Sequence, residues 1–246
     1  MNFNNKKELV EACLGGSCIV STLSGLHDVI VDTQTKLLEA AIEAGVPRFI
    51  PSDYCIDYTT LPVGSNRNLD LRREFQQRLD KSPIAATSIF NGMFTDLLLG
   101  QAPIILKPIK RIMFWGNKDQ PLDFTTTDNT AAFTALAALD DTTPRFLKIA
   151  GEVATISDIQ KTASEAFDID FKLLRLGGLG AFKNMIAFTR FVAPQKNEVF
   201  PAWQGMQYLH NMFTGLPKLN NLDNDRYKDI KWTSIKDVLK DQEATS

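Results

Sequence analysis

The residues best suited to chemistry cluster in the string GVPRFIPSDY, residues 45–54. A glycine that stops a helix is followed by a short apolar strand and then by Pro51-Ser52-Asp53. Short polar side chains leaving a strand end can hydrogen-bond a phosphate or a sugar; Ser52 and Asp53 can equally close a turn. A second pattern is Gly177-Gly178-Leu179-Gly180, after the strand-like residues 171–176 and before a helical stretch. It mimics part of a dinucleotide-binding turn. The position three past Gly180 holds Lys183, so it reads first as a turn that starts a helix. Residues 200–213 supply Trp203, Met206, Tyr208, Met212 and Phe213, which can line an apolar pocket or pack a core or a dimer face. Arg72, Arg73, Glu74 and Arg78 form a charged run of the kind that marks a solvated helix face. Cys13, Cys18 and Cys55 lack CxxC spacing and read as buried thiols in a reducing compartment. His27 and His210 are too few and too far apart for a metal site.

The elements that would position these residues follow from periodicity. Residues 5–14 predict a helix with Leu9, Val10, Cys13 and Leu14 on one face. Residues 17–21 predict a buried parallel strand. Residues 28–44 predict a helix stopped by Gly45 and Pro47, and residues 48–51 a second strand. A third helix over 66–81 ends at Pro83, and a third strand spans 84–89. This βαβαβ order implies a parallel sheet. Its ligand edge would gather the loops 21–27, 52–64 and 91–94. Farther on, a strand is predicted over 108–115, a helix over 129–139 capped by Asp128, and a strand over 145–150. Ser157 and Gln160 suggest a capping box for a helix over 158–167.

The 246 residues carry 27 Lys plus Arg against 29 Asp plus Glu, with 44% hydrophobic residues. That excludes disorder and gives no basic footprint for nucleic acid. No run of apolar residues is long enough to span a membrane, and the polar N-terminus shows no signal-peptide core. A cytoplasmic protein is expected.

GVPRFIPSD resembles a segment of the NmrA-like and isoflavone-reductase-like proteins, atypical members of the short-chain dehydrogenase superfamily. Residues 17–25, 84–94, 114–141 and 145–160 resemble further segments in the same order, so the resemblance covers about residues 3–170. It implies an α/β Rossmann-like parallel sheet over 1–100 and a smaller α+β substrate subdomain over 101–246. The family's opening βαβ unit with its glycine-rich turn has no counterpart here, so an N-terminally truncated fold is expected. The resemblance implies NADP or NAD as cofactor, NADPH ahead of NADH. It places Thr22, Leu23 and Ser24 by the adenine, Ser52 and Asp53 at mid-cofactor, and Asn91, Gly92 and Met93 by the nicotinamide. Phe94, Trp203 and Met206 would line the substrate pocket. Arg72 falls where the family's reductases carry a catalytic lysine. An arginine stays protonated and cannot shuttle a proton, though it can hold an oxygen by charge. The Tyr-x-x-x-Lys pair of ordinary short-chain dehydrogenases is matched in spacing by Tyr227 and Lys231 alone; Tyr208 has Met212 at that position. The implied function is reduction of a small carbonyl, quinone or enone substrate. The alternatives are a dinucleotide-sensing regulator without turnover and a remnant that binds no cofactor. A homodimer is left open.

Overall fold

The computed structural model describes residues 2–245, with side chains to residue 242. In chain order the elements are α1 Lys6–Cys13, β1 Ile19–Val20, α2 Gln34–Glu43, β2 Arg48–Ile50, α3 Arg67–Leu79, β3 Ala85–Ala86, β4 Ser88–Phe90, β5 Met93–Phe94, β6 Ile105–Leu106, β7 Arg111–Phe114, β8 Leu122–Thr125, α4 Thr127–Leu139, β9 Phe146–Lys148, β10 Glu152–Ala154, α5 Ile156–Phe167, β11 Lys172–Arg175, α6 Leu179–Val192, α7 Ala202–Phe213 and α8 Ile235–Thr245.

The first half follows its sequence pattern. Strands β1, β2 and β3 pair in parallel in that order. The predicted third strand is split at Thr87. The Thr87 N–H still bonds Phe49 O, while Ser88 N–H bonds Arg145 O, so β4 passes the ladder on to β9. The result is a Rossmann-like parallel sheet. Strand β2 sets the layers, because successive side chains point to opposite faces. Phe49 packs with Leu9, Leu38, Phe75 and Leu79 from α1, α2 and α3. Its neighbour Ile50 packs with Ile89, Phe133 and Leu147 on the α4 face.

Caps and turns fix the helix ends. Asn66 Oδ1 accepts from the N–H groups of Asn68 (3.1 Å) and Leu69 (3.2 Å), which starts α3. Gly45, at φ +72°, ends α2 in the left-handed region. A π-helical stretch, Asp28–Thr33, precedes α2. There Gln34 N bonds Val29 O, and the side-chain Nε2 takes over Ile30 O at 2.9 Å. Two caps differ from expectation. Helix α4 is capped by Thr126, whose hydroxyl accepts from Asn129 N, while Asp128 lies in the first turn. Helix α5 uses a Thr155–Asp158 box instead of Ser157–Gln160, because the turn begins two residues earlier, straight after β10. The predicted strand over 108–115 shortens to β7, because a 3₁₀ turn occupies Lys107–Ile109.

The second half contributes short pairs: β5 parallel and β10 antiparallel to β8, and β11 parallel and β6 antiparallel to β7. One core cluster draws on both sides of residue 100, from Tyr58 and Phe90 to Trp115, Phe182 and Trp203. Trp115 and Phe182 stack with ring centroids 3.9 Å apart. The glycines at 177 and 178 do form the turn into α6, with Gly178 as its N-cap. Cys13 and Cys55 are buried free thiols, and Cys18 is half-buried. Among the described residues no helix is long and apolar enough to cross a membrane.

Two tethers give testable consequences. Buried Arg48 donates to the last carbonyls of α4, Ala137 O (2.9 Å) and Ala138 O (3.2 Å), and to Thr143 Oγ1. Arg48→Ala leaves Ala138 O without its guanidinium donor and Ala137 O with only the 3.4 Å bond from Asp140 N–H, and should cost about 2 kcal/mol. Thermal unfolding reads it; a loss under about 0.5 kcal/mol contradicts the assignment. Asp140 accepts from Arg226 Nε and Tyr227 OH, both at 2.8 Å, tying the C-terminal segment down. Arg226 first, then Thr142, holds the Asp140 carboxyl well below its usual range. A depressed folded pKa gives stability that is present above the unfolded value and lost as pH falls through the folded one. Asp140→Asn should therefore flatten the stability loss below about pH 4, measured by urea unfolding across pH.

Candidate functional site

Strand β2 ends at Ile50, and Pro51 removes the next ladder donor. The chain then turns under the sheet edge. Asp53 N–H reaches back to Pro51 O at 2.8 Å, and the side chain is 1% exposed. Its Oδ2 accepts from Tyr58 OH at 3.0 Å and Ser88 Oγ at 2.7 Å. Ser88 Oγ also accepts from Arg145 Nη1 at 2.8 Å, and Arg145 Nε is anchored on Asp80. Asp53 Oδ1 has no partner. Burial pushes the Asp53 carboxyl above the usual range, while Ser88, Arg72 and Tyr58 pull it back.

Arg72 joins this cluster from α3. Its Nη1 reaches Asn68 O at 3.4 Å, and its Nε is buried and unpartnered. Burial opposes its charge, but Tyr208, Cys55, Asp53 and Tyr58 around it outweigh that and raise its pKa. The charged run on α3 thus divides. Glu74 and Arg78 pair at the surface at 2.9 Å. Arg73 braces the loop through Asp70, Tyr58 O and Leu61 O. Arg72 turns inward.

The other expected site residues fall into two groups. Thr22 and Ser24 are exposed and Leu23 half-buried at the end of β1. A groove of about 310 Å³ runs beside them, lined by Ser21, Thr22, Leu23, Cys13, Cys18 and Leu37 among others. Ser21 Oγ is buried and unpartnered. Ser52 links the two groups: its Oγ donates to Leu23 O at 2.7 Å, and its N–H to Gln34 Oε1 at 2.9 Å. Asn91, Gly92 and Met93 are buried next to the Asp53 loop, with Asn91 N bonded to Cys55 O at 3.1 Å. Asn91 Oδ1 is unpartnered.

Phe94 is half-buried on β5, and Met206 is half-buried on α7. Trp203 is 2% exposed, between the guanidinium groups of Arg67 (4.7 Å) and Arg190 (5.0 Å). Periodicity does not single out Tyr58, Ser88 and Arg145, which complete the cluster. The hydroxyls at 58 and 88 flank buried apolar runs, which is the one local hint of inward polar partners.

A permanently charged guanidinium with a free N–H, buried near Tyr208, Cys55, Asp53 and Tyr58, is suited to one task. It can hold an oxygen that carries or develops negative charge, because the surroundings weaken competition from water. No group of three metal-ligating side chains comes together among the described residues.

Comparison with known proteins agrees with this architecture. The sequence pattern of the NmrA-like family matches residues 1–223. Pinoresinol reductase 1 of Arabidopsis thaliana is 26% identical over 97% of this chain and 78% of its own length. A solved complex of AtPrR2 with NADP+ and (+)pinoresinol superposes with a TM-score of 0.77 at 19% identity, over 98% of this chain and 80% of that one. The leucoanthocyanidin reductase–NADPH complex of Vitis vinifera gives 0.79 at 15% identity, over 98% and 84%.

Proposed function

Because this chain belongs to the NmrA-like family, we propose that it reduces a small carbonyl, quinone or enone compound with a nicotinamide cofactor, NADPH ahead of NADH. The observation that carries the reading is the inward Arg72, with its unpartnered Nε, in a buried polar cluster at the carboxyl edge of a parallel sheet. That edge is where open α/β sheets take their ligands.

The residues present suit both ends of a dinucleotide. Thr22, Leu23 and Ser24, with the unpartnered Ser21 hydroxyl, would hold the adenosine end along the groove. Ser52 and Asp53 would brace the loop at mid-cofactor from behind. Asn91, with its unpartnered Oδ1, would stand with Gly92 and Met93 on the nicotinamide side. When bound, the cofactor supplies a hydride. Arg72 would hold the substrate oxygen without moving a proton, and Phe94, Trp203 and Met206 would border the substrate. Three free thiols suit a reducing, cytoplasmic setting.

Calorimetric titration with NADPH, followed by its absorbance loss over a panel of quinones and enones, tests the reading. Binding with turnover of at least one compound is the expected result; no binding overturns it. A second reading follows from the same Arg72, which cannot release a proton: a dinucleotide-sensing regulator. Binding without consumption across the panel would favour it.

A further inference from the structure

Helix α6 is apolar on two opposite sides. Phe182 and Ile186 are buried in the core. Phe182 stacks on Trp115, which fixes the helix and aims its other side outward. At about 100° per residue, Phe191 stands opposite the buried pair, with Phe188 beside it and Val192 one turn past Phe188. Phe191 is 84% exposed, Phe188 66% and Val192 56%. These three are helix neighbours at i, i+3 and i+4, and together they leave roughly 300–450 Å² of apolar surface in water. That is the size of the largest patch on an ordinary monomer, which is often a functional one. Phe200, in the loop that leads to α7, is also exposed. A helix that is apolar all round is normally covered all round.

We propose that the outer face of α6, with Phe200, docks on an anionic phospholipid surface. The rings would lie at the boundary of the acyl chains and the neighbouring cations on the head groups.

The charge pattern selects that occupant. Residues 172–200 carry five cations, Lys172, Arg175, Lys183, Arg190 and Lys196, against one acid, Glu198. The whole chain has a net charge of −2, so this excess is local. Helix α6 itself contains no Asp or Glu. Lys183 and Arg190 are exposed along one flank of the apolar face, and Lys196 is exposed just beyond its end. Among the described residues, neither Lys183 nor Lys196 has a carboxylate at ion-pair distance. Their long stems can reach head groups while the rings sit deeper. Each such cation near an anionic leaflet adds attraction. A second copy fits less well. Two-fold pairing would set the same patch against itself, and the only charges on this helix are positive. At 14 residues α6 is also too short to cross a bilayer, which takes about 20, so it would lie on the surface.

Vesicle sedimentation of the full chain tests the proposal without cofactor. The vesicles are phosphatidylcholine alone and phosphatidylcholine with about 30% phosphatidylserine. Wild type is compared with two double variants, Phe188→Ser with Phe191→Ser and Lys183→Glu with Lys196→Glu. The control is Leu139→Ser, at an equally exposed leucine on α4. Thermal melting within about 2 °C of wild type shows that each variant is folded. Wild type and the control should bind the anionic vesicles, and phosphatidylcholine at least about tenfold more weakly, with affinity falling as salt rises. Each double variant should bind the anionic vesicles about tenfold or more weakly. No binding by wild type, equal binding to both kinds of vesicle, or unchanged binding by either double variant overturns the proposal. So does a wild-type dimer in analytical ultracentrifugation that Phe188→Ser with Phe191→Ser turns into a monomer, which would give the face to a second copy. None of these positions belongs to the cofactor or substrate residues above, so the vesicle result and the reductase reading stand or fall separately.

Discussion

Asp53→Ala is expected to destabilise the fold by about 3–5 kcal/mol, the range for breaking a buried charged network from one side. For a chain of this size that is a fall in Tm of roughly 6–20 °C. The substitution strips the acceptor from two hydroxyls, Tyr58 and Ser88, both in the interior. It also removes the carboxylate that faces the Arg72 guanidinium. Asp53→Asn keeps the shape and one acceptor, so it should cost less than alanine. The two variants differ in pH behaviour as well. Burial raises the folded pKa of Asp53 above its unfolded value, so its contribution is full below the ordinary aspartate pKa and is lost as pH rises toward the folded one. Wild type should show that decline starting near about pH 4, and Asp53→Asn should lack it. Calorimetric melting across pH measures both effects. An alanine variant melting within about 2 °C of wild type would mean the cluster is solvated and carries less than about 1 kcal/mol.

The same residue shows what a linear sequence can reveal. Pro51-Ser52-Asp53 after an apolar run marks a polar loop at a sheet edge, and the loop is there. Whether Asp53 points out to a ligand or in to Tyr58 and Ser88 depends on where β4 lies, and β4 is placed by long-range pairing with β9. Arg72 reads locally as one of four charges on a helix face. Its inward turn shows only in the folded chain, where its Nη1 bonds Asn68 O and its Nε is buried without a partner. The βαβαβ half was legible because its helices are long enough to show periodicity and are closed by Gly45 and Pro83. In the second half most strands are two to four residues long, too short to carry an alternation. Buried polar strand residues such as Asp123 find their partners, Lys218 and Leu219, only in the folded chain. The sequence TISDIQ offers two capping boxes, and the position of β10 chooses between them.

Gly92→Ala should be at least as costly, for a steric reason. Gly92 sits at φ +68° where the chain leaves β4 for β5. A Cβ there would lie 2.3 Å from Asp123 O and 2.7 Å from both Asp123 C and Asp123 Cβ. Backbone cannot rotate aside as a side-chain tip can, so β8 or β5 must move. Both are held. Met93 pairs with Phe124, and Thr125 Oγ1 donates to Asn91 O at 2.7 Å. Asp123 is fixed by Lys218 Nζ at 2.6 Å and Leu219 N at 2.8 Å. Shifting Asp123 therefore disturbs two buried charge-assisted bonds, each worth about 1.5–3 kcal/mol. The left-handed backbone adds about 1–2 kcal/mol for any residue with a Cβ. Gly45→Ala separates the two costs. Gly45 has φ +72°, but a Cβ added there would meet no atom within 4 Å, so only the backbone cost applies. Urea unfolding should give about 1 kcal/mol for Gly45→Ala and about 4 kcal/mol or more for Gly92→Ala. Equal losses would mean that the close approach of β5 to β8 is not what demands glycine. Because Asn91 and Met93 flank this position, surviving Gly92→Ala protein should also bind NADPH more weakly, whereas Gly45→Ala should bind it as wild type does.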